Sequence, residues 1–343
     1  MDKDELLHKI QDIVSQNPVV VLGSGASVKY GIAGMGKLAD ELKAFFSTKS
    51  YIDDEANVCV AKFIENLDNG MGLEDALLNV RAPEIVEKDI VHIVWKIIAE
   101  NDKAVCNNFL NGMPLDLTSL FNFLIYNHRE QTLNVVTTNY DRIPEYAASR
   151  TEAYLNTGFK PIIMGNVLEK LDDSKLQKLN NYIGVLNLWK IHGSLDWFKR
   201  DDRVYYIPFV SEIPAGFEPS IITPGTNKYA KIHQDPNRAL LEQIDTSFKN
   251  ALGYLCIGYG FNDSHVHPRI LKYSKERRKP ILIVTYDITP AIEKYVMIDG
   301  VNYIILVSDK EHGTDIYCSD MKNKINIPDK EYWNIEGLCS LIS

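Results

Sequence analysis

Paired cysteines are missing from this sequence. Its five cysteines, Cys59, Cys106, Cys256, Cys318 and Cys339, stand apart from one another. That spacing excludes a CxxC zinc ribbon or thioredoxin-type motif and suits a reducing compartment. A run of about 18 apolar residues is also missing, so no membrane span is expected. Basic charge is in deficit, with 37 Lys and Arg against 46 Asp and Glu and a formal net charge of −9. No overall attraction to nucleic acid follows, and no direct nucleic-acid binding is expected. The tightest basic cluster, Lys275, Arg277, Arg278 and Lys279, reads as a solvated helix end, where cations suit the negative pole. There is no repeat and no low-complexity tract. The opening MDKDELLHKI is charged and amphipathic rather than a signal peptide, so the expected location is cytoplasmic.

What is present is ample apolar material, 45% of the 343 residues, enough for one large core. Leu6, Leu7, Ile10, Ile13 and Val14 recur at helical spacing until Pro18 stops them. Val19 to Leu22 follows, a continuous apolar run of the kind buried on both faces of a parallel sheet. Leu133 to Val136, Val185 to Ile191, Tyr254 to Ile257 and Ile281 to Val284 read as further strands, and Tyr303 to Val307 as a sixth. Between the first two strands, Leu38 to Phe46, Ala56 to Leu67, Ile85 to Asn101 and Leu117 to Asn127 carry helical periodicity. Leu171 to Asn181 is polar and reads as a loop or surface helix. The expected fold is α/β, a Rossmann-like parallel sheet flanked by helices. It forms a single domain over 1–343, with a mainly helical insertion over 37–130 and a C-terminal extension over 308–343.

Each of the first five strands ends in small or polar residues. These are Gly23-Ser24-Gly25-Ala26-Ser27, Thr137-Thr138-Asn139-Tyr140-Asp141, His192-Gly193-Ser194, Gly258-Tyr259-Gly260 and Thr285-Tyr286-Asp287. In open α/β sheets ligands bind beyond the carboxyl ends of the strands, so the clusters should converge on one crevice. The first is a phosphate-loop candidate, incomplete because Val28 stands where a third glycine would be; a plain strand-to-helix turn is the alternative. Asn139 and Asp141 alternate with Tyr140, so an extended chain would point both the same way; capping a helix near Arg142 is their alternative role. His192 is followed by a glycine that opens space beside its ring, and imidazole exchanges protons near neutral pH.

Taken in order, these clusters resemble the sirtuin family, over roughly residues 17 to 290. The family pattern is a Gly-Ala-Gly-x-Ser loop, a Thr-Gln-Asn-x-Asp segment, a His-Gly pair and a late Gly-x-Ser turn. The departures matter. A four-cysteine zinc module is lacking, and Ala33-Gly34-Met35 stands where Asp-Phe-Arg is expected. Thr137 to Arg142, Lys190 to Trp197, Ile257 to Asp263 and the loop from Pro224 to Lys228 look like the bacterial sirtuin-like branch that degrades NAD+ in anti-phage defence.

The resemblance implies NAD+ as substrate and no metal. The backbone of Gly23, Gly25 and Ala26, with the Ser27 hydroxyl, would hold the pyrophosphate; Ser24, Thr138 and Tyr259 belong to the same binding set. Asn139 would orient the nicotinamide ribose and the attacking water, Asp141 would hold the carboxamide, and His192 would be the general base. Gly258 and Gly260 would admit the adenosine half. Asp287 would bind its ribose or cap a helix. Asp263, His265 and His267 could hold a metal if extended, but loop hydrogen bonding is the preferred reading. Trp197 and Phe198 read as core rather than pocket.

The expected activity is an NAD+ glycohydrolase releasing nicotinamide and ADP-ribose. The alternatives are an NAD-dependent protein deacylase and a non-catalytic NAD or ADP-ribose sensor. Free hydrolysis would harm the host, so control is expected from a homo-oligomer or a separately encoded HerA-type ATPase. The helical insertion and C-terminal extension are the candidate contact surfaces.

Overall fold

A computed structural model describes residues 2–127, 131–168, 182–225 and 236–343. The polar segment Leu171 to Asn181 lies outside these, as do Thr226, Asn227 and Lys228.

The chain opens with α1 (Lys3–Ser15), started by a capping box in which Asp2 and Glu5 accept from each other's backbone amides. Pro18 and the left-handed Asn17 turn it into β1 (Val19–Leu22), whose four apolar residues are all buried. After the four-residue turn of helix α2 (Gly25–Val28), five helices follow. They are α3 (Met35–Thr48), α4 (Asp54–Asp68), α5 (Leu73–Leu78), α6 (Glu84–Leu110) and α7 (Asp116–Tyr126). In α3 the buried residues are Leu38, Leu42 and Phe46, four apart along one face. The α6 helix runs further than the sequence suggested, 27 residues.

β2 (Thr132–Thr137), α8 (Ile143–Ala148), β3 (Ala153–Asn156), β4 (Gly165–Asn166) and β5 (Gly184–Lys190) come next. They are followed by β6 (Gly193–Arg200), β7 (Arg203–Tyr206), β8 (Glu218–Ile221), α9 (Asn237–Asn250) and β9 (Tyr254–Ile257). The last third holds α10 (His267–Arg277), β10 (Ile281–Thr285), α11 (Pro290–Tyr295), β11 (Tyr303–Ser308), β12 (Thr314–Cys318), β13 (Ile325–Ile327) and α12 (Ile335–Ile342).

Nine strands form the main sheet in the order β13-β12-β11-β10-β9-β1-β2-β5-β3. From β11 to β3 every pairing is parallel; β12 and β13 add antiparallel at one edge. The architecture is the expected Rossmann-like α/β sheet flanked by helices. β1 is the middle one of the seven parallel strands, with β2 on one side and β9 on the other. The chain builds outward on one side and then returns to build the other, so a crevice opens between these strand ends. No helix among the described residues is long and apolar enough to cross a membrane.

Two features depart from the sequence reading. A second sheet, β4-β7-β6-β8, is antiparallel and was not anticipated. His192-Gly193 does not simply end a strand: the chain pivots there, with Gly193 at φ +84°, and continues as β6. Trp197 and Phe198 lie on β6 and are core residues. Trp197 packs on Phe159 at 4.8 Å between ring centroids, and Phe198 on Trp95 of α6 at 5.7 Å. In the C-terminal stretch β12 extends the main sheet and α12 packs on α1 and α7.

Candidate active site

The strand-end loops meet because glycine lets their backbones touch. Gly23 N donates to Ile257 O and Gly25 N to Gly258 O, both at 3.0 Å. A Cβ on Gly23 would lie 2.4 Å from Gly258 O, and one on Gly258, itself at φ +56°, would lie 2.3 Å from Ala26 N. The expected pyrophosphate cradle is thereby narrowed. The amides of Gly25 and Ala26 are engaged within the chain, the latter donating to Gly23 O at 3.0 Å. Gly25, Ala26 and Gly258 stand behind the cleft as its frame, whereas Gly23, Ser24, Ser27, Thr138, Tyr259 and Gly260 line it. Asp287 does not line it: its carboxylate pairs with Lys310 at 2.5 Å on the exposed surface.

Asn139, Asp141 and His192, from the ends of β2 and β5, all line the same cleft of about 590 Å³. Thr137 Oγ1 donates to Leu22 O and accepts from Asn139 N, each at 3.0 Å, which bends the chain out of β2. Asn139 Nδ2 then donates to Gly23 O at 2.9 Å and Ser27 Oγ at 3.1 Å. With both amide hydrogens committed, the atom Asn139 can offer a ligand is its carbonyl Oδ1, an acceptor. The Ser27 hydroxyl in turn donates to the Asp141 carboxylate, which also accepts from Ile143 N at 3.2 Å at the start of α8. The Asp141 carboxylate therefore serves the first turn of α8 and borders the cleft at the same time. Burial pushes the Asp141 carboxyl up to about 6, with nearby Lys190 opposing the rise.

Beneath this loop lies a buried charge network. Lys190 Nζ donates to the carbonyls of Tyr140 and Asp141, to Glu145 Oε1 at 2.7 Å and to Ser194 Oγ at 3.1 Å. Asp102 of α6, fully buried, accepts from Arg142 N and Nε at 2.8 Å and from the Tyr146 hydroxyl at 2.6 Å. Arg142 also reaches Asp196 Oδ1 at 3.1 Å. The helical insertion is thus hydrogen-bonded to the residue that follows Asp141.

His192 faces Asp263. Its Nε2 lies 3.0 Å from Asp263 Oδ2, and both side chains border the cleft. The other oxygen, Oδ1, accepts from His265 N at 2.9 Å and Val266 N at 3.0 Å. His267 Nδ1 lies 2.7 Å from Asp263 O and its ring stacks on Tyr295. Burial lowers the His267 pKa. Among the described residues no group of three His, Cys, Asp or Glu side chains could hold a metal ion; Asp263 and His267 build the turn into α10.

Sequence reasoning missed two contributors. Asp263 was weighed only as a metal ligand or loop residue, and its pairing with His192 joins distant strand ends without a local signal. The insertion was expected to be a contact surface, yet Leu38, Leu42, Leu77, Ile90, Val94 and Ile98 form an apolar wall of the cleft. Helical spacing marked the segments that carry Leu38, Leu42, Ile90, Val94 and Ile98, though not Leu77, and gave no sign that a ligand space adjoins them.

The family model described as a SIR2-like domain matches residues 133–304. That span starts in β2 and contains Asn139, Asp141, His192 and Asp263. Among solved structures the chain is similar to a Sir2 homolog–NAD complex, at 14% identity over 87% of each chain with a TM-score of 0.47. It is also similar to a triple mutant of Sir2 homologues in complex with 2′-O-acetyl ADP ribose, at 17% identity over 88% of this chain and 90% of that one, with a TM-score of 0.47. No curated protein matches the chain.

Proposed function

This chain belongs to the SIR2-like domain family, and from that premise we propose that it is an NAD+ hydrolase releasing nicotinamide and ADP-ribose. The observation that carries the reading is the convergence of Asn139, Asp141 and His192 on one cleft beside the Gly23–Ser27 loop. Cleavage of a glycosidic bond passes through an oxocarbenium-like state, and these residues supply what such a reaction needs. Asn139 Oδ1 accepts from a ribose hydroxyl or from the attacking water. Asp141, largely ionised at pH 7 with a carboxyl near 6, accepts from the nicotinamide carboxamide. His192 takes the proton from the attacking oxygen. Nicotinamide departs as a neutral molecule and needs no general acid, which fits a site with one base. Gly23, Ser24, Thr138, Tyr259 and Gly260 bind the rest of the dinucleotide in this reading.

The reading extends to the cell. Uncontrolled hydrolysis would empty the host's NAD+ pool, so we place the enzyme in the cytoplasm as an anti-phage effector. It would be held in check by self-assembly or by a separately encoded HerA-type ATPase, as the resemblance to the defence branch implies.

The test is chromatography of NAD+ incubated with the full chain over a range of protein concentrations. Nicotinamide and ADP-ribose should appear together, and Asn139→Ala or His192→Ala should slow their release by about 100-fold or more. Intact NAD+ with folded wild-type protein would overturn the reading. Release that depends strictly on an acylated peptide would make the chain a deacylase. Tight binding without turnover would make it a sensor.

A further inference from the structure

We propose that Asp263 is the positioning residue of His192, fixing which ring nitrogen carries the proton and facing the positive charge when the ring takes a second one. The proposal deepens the reading of His192 as general base and rests on it.

The frame holds both partners independently of their contact. His192 sits at the β5–β6 pivot, where its carbonyl accepts from Ile222 N at 2.8 Å. Gly193 beside it has no room for a side chain, since a Cβ there would lie 2.1 Å from Ser220 O. Asp263 is anchored by the two amides on Oδ1 and by His267 N and Nδ1 on its carbonyl. That anchoring leaves Oδ2 directed at His192 Nε2, 3.0 Å away. Both residues are more than nine-tenths buried, at 7% and 6% exposure, so the coupling is weakly screened. At 3.0 Å the two atoms are within reach but not aligned as a hydrogen bond; catalytic hydrogen bonds are often poorly aligned until substrate closes on them.

A carboxylate can only accept. Facing it, the neutral ring is driven to carry its proton on Nε2, which leaves Nδ1 as the nitrogen able to receive one. When Nδ1 takes the proton of the attacking oxygen, the imidazolium keeps both protons. Asp263 balances its charge without being protonated, the role an orienting carboxylate plays in hydrolytic triads. The competing explanation is purely structural, with Asp263 doing no more than capping the turn into α10.

Asp263→Asn separates the two. The amide's Oδ1 can still accept from His265 N and Val266 N, so the turn is kept. Its NH₂ now donates to Nε2, forcing the proton onto Nδ1 and removing the base. On the full chain, kcat for nicotinamide release should fall by about 100-fold or more while KM for NAD+ stays within about threefold. Thermal unfolding should be close to wild type. A kcat near wild type, or a loss confined to KM, would overturn the proposal. Ring ¹⁵N NMR on histidine-labelled protein, with His192 assigned from His192→Ala, gives a reading independent of activity. Wild-type His192 should be the Nε2–H form and should switch in Asp263→Asn; the Nδ1–H form in wild type would overturn the pairing even if the variant failed to fold. Wild-type protein that releases no nicotinamide yet shows the Nε2–H form would sink the hydrolase reading and leave the pairing standing.

Discussion

Replacing Lys190 by Met removes the ammonium on which the loop carrying Asn139 and Asp141 rests. Glu145, buried beside it, loses its charge partner, and two carbonyls lose a charged donor. Burial already raises the Glu145 carboxyl, and Lys190 is what opposes that rise. Without it that rise goes unopposed, and its limit is the cost of protonating the carboxyl on folding at pH 7, about 3–4 kcal/mol from an unfolded value near 4.3. Breaking one side of a buried ion pair falls in the same range, about 3–5 kcal/mol. The sign with pH follows. A carboxyl raised in the folded state binds a proton on folding, so the penalty shrinks as pH falls toward its unfolded value. Urea denaturation should therefore show Lys190→Met destabilised by about 3–5 kcal/mol at pH 7 and by clearly less at pH 5. Adding Glu145→Gln should recover about 2 kcal/mol or more at pH 7. A deficit below about 1 kcal/mol, equal deficits at the two pH values, or no recovery in the double variant would refute the reasoning.

Three further outcomes are expected. NAD+ affinity measured by calorimetry should fall about tenfold between pH 7 and pH 5 as the Asp141 carboxyl, near 6, is protonated and ceases to accept from the carboxamide. In Asp141→Asn that acid limb should vanish, whereas a flat wild-type profile would contradict the assignment. Gly258→Ala should cost about 3 kcal/mol or more, because the position is left-handed and the added carbon meets Ala26 N at 2.3 Å; an unchanged melting curve would show that the two loops do not abut. Asp102→Asn should weaken NAD+ binding as well as stability, since Asp102 reaches the loop that carries Asn139 and Asp141 through Arg142 N; a loss of stability with unchanged affinity would cut the insertion out of the site.

The central strands were legible because burial on both faces writes itself as unbroken apolar runs. Val19 to Leu22, Tyr254 to Ile257 and Ile281 to Thr285 are buried at every position. Their polar ends were legible for the same reason, since an abrupt change from Val and Ile to Gly, Asn or His marks where a strand leaves the core. The second sheet was not. β6 is buried on both sides by two different clusters, with Phe198 against one and Trp197 against the other, so it lacks the alternation that marks a half-exposed strand. Asp263 escaped for another reason. Its partner is set by which strand ends the topology brings together, and no spacing along the chain encodes that.

The apolar wall contributed by α3, α5 and α6 has a pharmacological consequence. A compound with a polar head for Asn139 and Asp141 and a short branched hydrocarbon tail reaching Leu42, Val94 and Ile98 would fill both halves of the cleft. Its tail would find no counterpart in an NAD-binding protein that lacks these helices. Selectivity for this chain would then come from the shape of its insertion rather than from the half of the pocket beside the Gly23–Ser27 loop.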